Sequence, residues 1–228
     1  MLEIEQLSFG FTGGDTRGDN GGDTGEENGG SDGLVSDLSF NVEPGQLRLI
    51  QGRSGCGKST LLKLISSRAP EGLNWSGNIK LNGANLAAMP EEQRGVGILF
   101  QDPLLFPHLT VGDNLAFGLV RRPGMITRAE RRAAVENALH VADLDGFADR
   151  DPASLSGGQA ARVGLMRSLL AEPDALLLDE AFSALDPELR YQFGSFVMGQ
   201  VRERNIPALL VSHDNGDSLF ASGDIITI

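Results

Sequence analysis

The chain has 228 residues, 40% of them hydrophobic, and 31 acidic against 19 basic side chains give a formal net charge of −12. That length suits one domain, or a core carrying an inserted sub-domain, and the acidity argues against nucleic acid as a partner, because phosphate contacts need clustered Lys and Arg. A lone cysteine, Cys56, excludes an intrachain disulfide and fits a reducing compartment. No apolar run reaches the roughly 18 residues of a membrane helix, and the start MLEIEQLSFG lacks the basic-then-apolar pattern of a signal peptide.

LEIEQLSFGF (2–11) and LVSDLSFNV (34–42) alternate like half-exposed strands. Between them, residues 13–33 hold nine glycines, six acids and one arginine, with an eight-residue near-repeat, GGDTRGDN then GGDTGEEN. Such a segment cannot bury enough apolar surface to offset its ordering entropy, so it is expected to be a disordered loop; its Gly-Asp spacing matches no calcium loop. LRLIQG reads as a buried strand, GKSTLLKLISSR as a helix, GNIKLNG as a short strand and GVGILFQ as another buried one. From 103 to about 166 the pattern is mostly helical: TVGDNLAFGLV, then TRAERRAAVENALHVADL, then SLSGGQAARVGLM. DALLLDE and PALLVSH are strands flanking the helix PELRYQFGSFVMGQVRER, and DIITI is a last strand. Buried strands separated by helices predict an α/β fold with a mostly parallel sheet plus an antiparallel β part. The expected organisation is one domain, with its core at about 1–102 and 167–228 and a helical sub-domain at about 103–166.

GRSGCGKS, Gly52 to Ser59, fits G-x-x-x-x-G-K-[ST], and it follows a strand and opens a helix, the context a phosphate loop requires. Its glycines let backbone N–H groups turn inward around a phosphate, and the helix N-terminus adds partial positive charge. Gly52, Ser54, Gly55, Cys56, Gly57, Lys58, Ser59 and Thr60 form the expected nucleotide-binding set. Lys58 is the point charge at the β/γ-phosphates, and the Ser59 hydroxyl is a Mg²⁺ ligand. Asp179 ends the apolar run ALLLD, where a strand would set its carboxylate beside that loop to hold the metal's water shell. Glu180 follows and can accept a proton from an attacking water.

SLSGGQ opens another helix with a serine and two glycines, a second anion-site pattern about a hundred residues after the first. Read alone, it is equally an ordinary helix start with a serine cap. Taken together, GRSGCGKST, LFQDPLLFPHLTV, LSGGQAARV, LLLDEAFSALD and LLVSHD resemble the nucleotide-binding subunits of ATP-binding cassette transporters, in their order and near their spacing. The resemblance spans Met1 to about Asp214 apart from the repeat segment, and it is strongest to bacterial importer ATPases. It implies ATP and Mg²⁺ as cofactors and a head-to-tail dimer. In that dimer Ser156, Gly157, Gly158 and Gln159 close over ATP held by a second copy. It also implies a membrane permease as partner, a solute-binding protein acting indirectly, and a peripheral place on the cytoplasmic face of the inner membrane. Gln101 resembles the glutamine that touches Mg²⁺ and the attacking water, and His213 the switch histidine at the γ-phosphate. Asp186 resembles the residue linking the two sites across the dimer. Phe11 stands where an aromatic stacks on adenine, with Phe9 as its competitor. The segment DPLLFPHLT is where such a cassette receives a short helix from its permease. His108, His140, Trp75 and Tyr191 are assigned to structure and packing. Ala181 replaces the usual proline and is expected to loosen the turn after Glu180; Ala160 and Ala161 replace polar residues and are expected to weaken contacts at the signature helix. The end soon after His213 suggests no regulatory domain. A soluble cassette ATPase in translation or repair is the rival reading, disfavoured by the acidic charge and the single cassette.

Overall fold

A computed structural model describes residues 1–11, 33–119 and 127–228 of the chain. The repeat segment therefore lies outside the described residues, except Gly33, which begins a strand.

Strand β1 (Leu2–Phe11) sends Leu2, Ile4, Leu7 and Phe9 inward. A strict period of two would turn Leu7 outward. The register shift between Glu5 and Ser8, with Gln6 at φ 48°, slips the pattern by one residue and keeps all four inside. β1 pairs antiparallel with β2 (Gly33–Val42) and with β4 (Leu73–Leu81), and the two-residue β5 (Ala84–Asn85) completes a sheet ordered β2-β1-β4-β5. GNIKLNG predicted only the second half of β4. The strand starts at Leu73 because β1 extends to Phe11 and offers it a partner there. The two residues of β5 carry too short a pattern to be read from sequence.

The second sheet is parallel, ordered β6-β7-β8-β3-β9: β3 (Leu47–Gln51), β6 (Val96–Phe100), β7 (Ala175–Asp179), β8 (Ala208–Ser212) and β9 (Ile226–Thr227). Alternation divides each strand between two cores. Ala175 and Leu177 of β7, with Leu209 and Val211 of β8, face helix α1 (Lys58–Ser66) and the inner side of the antiparallel sheet. Leu176, Leu178, Ala208 and Leu210 face the other way, against α4 (Gly157–Leu170) and α5 (Pro187–Arg204). Both faces of the parallel sheet are thus buried, which is why its strands read as continuous apolar runs.

Helices α2 (Val111–Phe117) and α3 (Arg128–Val141) pack on α4 through Val111, Leu115, Val135 and Leu139. The fully buried Asn114 ties this block to the segment after β6. Its amide accepts from Phe106 N (2.8 Å) and donates to the carbonyls of Phe106 and Thr110, while Arg167 of α4 donates to the carbonyls of Leu104 and Pro103. The expected boundary at 166 falls inside α4, which continues unbroken to Leu170.

Candidate functional site

The carboxyl ends of β3, β6, β7 and β8 lie together along one edge of the parallel sheet, because the register aligns Gln51 with Ser212, Phe100 with Asp179, and Asp179 with Val211. Every expected hydrolytic residue leaves from that edge: the glycine loop after β3, Gln101 after β6, Asp179 and Glu180 at the end of β7, and His213 after β8.

The loop between β3 and α1 wraps Lys58. The lysine is 5% exposed, and its Nζ donates to the carbonyl oxygens of Gly52 (2.7 Å) and Arg53 (2.9 Å), with the Cys56 Sγ at 4.0 Å. Gly57 at the helix N-cap sits at φ 105°, and a Cβ there would stand 2.8 Å from the Phe9 ring. Phe9 is therefore a wall of the loop, 3% exposed and packed in the core, while Phe11 is 42% exposed. Phe11 lines a depression of about 330 Å³ with Ser54, Gly55, Lys58, Thr60 and Glu180. Of the two candidate aromatics, only Phe11 offers an open ring face there.

Ser59, which also lines this depression, donates from Oγ to Asp179 Oδ1 (3.2 Å). Burial pushes the Asp179 carboxyl above its ordinary range; the Ser59 hydrogen bond opposes that and the neighbouring Glu180 charge adds to it. Glu180 turns the chain sharply, at φ 49°. Its N–H donates to Val211 O (3.0 Å) and its carbonyl accepts from both N and Oγ of Ser183, so the turn that Ala181 was expected to loosen is tied at both ends. The Glu180 Oε1 lies 3.2 Å from His213 Nδ1.

Ser156 and Gln159 stand apart from this group. Gln159 N donates to Ser156 Oγ (3.3 Å), and Ser156 N donates to Gln159 Oε1 (3.0 Å), a reciprocal cap at the start of α4. The S-x-x-Q spacing carried that signal. This cap, and the burial of Ala161 in the core, hold the helix start without the polar residues that Ala160 and Ala161 replace. Ser156, Gly158 and Gln159 line a separate depression of about 240 Å³ that shares no residue with the phosphate-loop one. Asp186 caps α5, accepting from the N–H groups of Glu188 (3.1 Å) and Leu189 (3.0 Å).

One assignment needs correction. Tyr191 is 62% exposed and only grazes Phe220, with ring centroids 6.3 Å apart, so it is not a packing aromatic. His108 and His140 lie on the surface, His140 paired with Asp145 (3.2 Å). Trp75 does pack against the core beside α1.

Residues 35–183 match the ABC transporter family. The chain belongs to that family. It is an ATP-binding cassette, a type of ATPase. It is 45% identical over 184 residues to an uncharacterised ABC transporter ATP-binding protein, YnjD, of Escherichia coli (strain K12), covering 81% of this chain and 83% of that one. It is 40% identical to the sulfate/thiosulfate import ATP-binding protein CysA of Gloeobacter violaceus, covering 85% and 55%. It is 41% identical to the spermidine/putrescine import ATP-binding protein PotA of Methylococcus capsulatus, covering 84% and 48%. The cassette spans about half the length of those two importer relatives. Its fold is that of the ATP-binding cassette MJ0796 in a dimeric post-hydrolysis state, with a TM-score of 0.73 at 23% identity over 97% of this chain and 91% of that one. Among the described residues no helix is long and apolar enough to cross a membrane.

Proposed function

We propose that this cassette is the ATP-hydrolysing motor of a bacterial solute importer, working as a head-to-tail dimer beneath a membrane permease on the cytoplasmic face of the inner membrane. The observation that carries the reading is the separation of two half-sites. Lys58, Ser59, Asp179, Glu180 and His213 converge on one edge, while the anion-type helix start at Ser156–Gln159 opens on a different depression. A second copy brings that helix start to the γ-phosphate, with Asp186 passing between the two centres. The relatives named as import proteins support the direction of transport.

In this mechanism Phe11 stacks on the adenine and the loop amides with Lys58 hold the β- and γ-phosphates. Glu180 takes a proton from water as the water oxygen bonds to the γ-phosphorus and the bond to the ADP oxygen breaks. His213, 3.2 Å from the Glu180 carboxylate, orients it. Ser59 Oγ and Asp179 Oδ1 are hard oxygen donors 3.2 Å apart, and among the described residues no cluster of three or more His, Cys, Asp or Glu side chains could hold a metal alone. That pairing fits Mg²⁺, which keeps waters and substrate phosphates in its shell, and Gln101, the residue after β6, would complete the set. When bound, Mg²⁺ neutralises charge building on the phosphate oxygens. The helical block, proposed as a sub-domain, presents 103–110 to a permease helix; Leu104 and Phe117 are exposed on it.

Co-expression with a candidate importer permease tests the reading. Mg²⁺-dependent ATP turnover by the co-purified complex, abolished by Glu180→Gln, is the expected result. Wild-type complex that turns over no ATP refutes it.

A further inference from the structure

Directly behind His213 lies a charged cluster that the hydrolytic scheme leaves unused. Arg190, in the first turns of α5, reaches back to the Asp214 carboxylate, the residue after the histidine. Its Nε has no hydrogen-bond partner and lies 4.0 Å from Asp217 Oδ1, and Asp217 is 1% exposed. Asp214 is fixed from every side: its N–H donates to Ser212 Oγ (3.0 Å), its carbonyl accepts from Gln51 Nε2 (3.2 Å), and its Oδ1 accepts from Gly216 N (2.8 Å). At the other end of the arginine, Arg190 N donates to Asp186 O (2.8 Å), inside the helix turn that Asp186 caps. Contacts therefore run from Asp186 through Arg190 to Asp214, and Asp214's chain neighbour His213 meets Glu180.

We propose that Arg190 is a positioning residue that couples the Asp186 turn to His213, so that closure at one reaction centre of the dimer sets the switch histidine at the other. The proposal rests on the dimeric motor reading above. Three features support it. The Arg190–Asp214 pair is mostly shielded on the arginine side, so the pair resists solvent screening better than a surface bridge. Arg offers a planar fork that holds direction, which a flexible lysine does not. Asp217, buried and with neither carboxyl oxygen in a hydrogen bond, already lies 4.0 Å from the same guanidinium, so the fork has a second acid to turn toward when the Asp186 turn shifts.

The test is steady-state ATP turnover by the assembled complex carrying Arg190→Met, Arg190→Lys, Asp214→Asn or the double variant Arg190→Met/Asp214→Asn, with thermal melts alongside. Arg190→Met is expected to lower kcat about tenfold or more, change KM for ATP less than about threefold, and bring the Hill coefficient toward one. Arg190→Lys should recover kcat only in part, and the double variant should be no worse than Arg190→Met, because both changes cut one link. If Arg190→Met does not fold, Asp214→Asn alone must show the same kcat and Hill changes. An active wild type whose variants keep kcat and the Hill coefficient within about twofold overturns the proposal, as do losses that multiply in the double variant. A wild type with no turnover overturns the motor reading and this proposal with it.

Discussion

Gly55 and Gly57 both take positive φ, 84° and 105°, yet the structure sets them in different surroundings. A Cβ at Gly55 meets nothing within 4 Å, whereas one at Gly57 meets Phe9 Cε2 at 2.8 Å and Leu34 Cβ at 3.3 Å. Gly55→Ala should therefore cost only backbone strain, about 1–3 kcal/mol. Gly57→Ala should add an overpacking term of about 1–3 kcal/mol, because Phe9 is buried and must move with its sheet. Urea unfolding followed by circular dichroism measures both variants. Gly57→Ala should be the less stable by that second term, and Phe9→Leu in the same chain should return part of the loss while leaving Gly55→Ala unchanged. Equal stabilities, or no relief from Phe9→Leu, would refute the claim that the Phe9 ring fixes the close approach of the phosphate loop.

Phe11→Ala should weaken ATP binding by the worth of one base–aromatic stack, about 1–3 kcal/mol, read by calorimetry, while Phe9→Leu weakens it less. Asp179→Asn should raise the melting temperature at neutral pH while abolishing Mg²⁺-dependent turnover. Burial raises the Asp179 carboxyl in the fold, so its ionisation opposes folding at high pH, and the difference from wild type should narrow as pH falls toward the ordinary value of 3.8. A variant melting below wild type at pH 8 would contradict this. Arg94, buried, donates to the carbonyls of Leu64 (3.0 Å), Ile65 (3.1 Å) and Ser67 at the end of α1. Arg94→Met strands those carbonyls and should destabilise the chain by about 1–3 kcal/mol or more in a urea melt.

The order of elements was legible because each parallel strand is buried on both faces and each helix carries a terminus signal; α5 spans the same residues, 187–204, that its pattern predicted. The placement of the glycine loop between β3 and α1, and of Asp179 and Glu180 at the end of β7, was legible because the elements follow one another within a few residues. Contacts between distant segments were not. Nothing local distinguishes Arg190 from the other arginines of α5, and its partner lies 24 residues away across the sheet edge. The slip in β1 shows in the sequence as two adjacent polar residues, Glu5 and Gln6, but only the pairing with β4 reveals that a bulge there keeps one continuous strand. The choice between Phe9 and Phe11 needed the packing around Gly57.

Light scattering of the purified Glu180→Gln variant with and without Mg-ATP bears most directly on the claim that one chain holds half of each reaction centre. The mass should double on adding ATP and return when Ser156→Arg places a bulky charge at the start of α4. A wild-type chain that hydrolyses ATP at its full rate while its mass stays that of one copy would contradict the account.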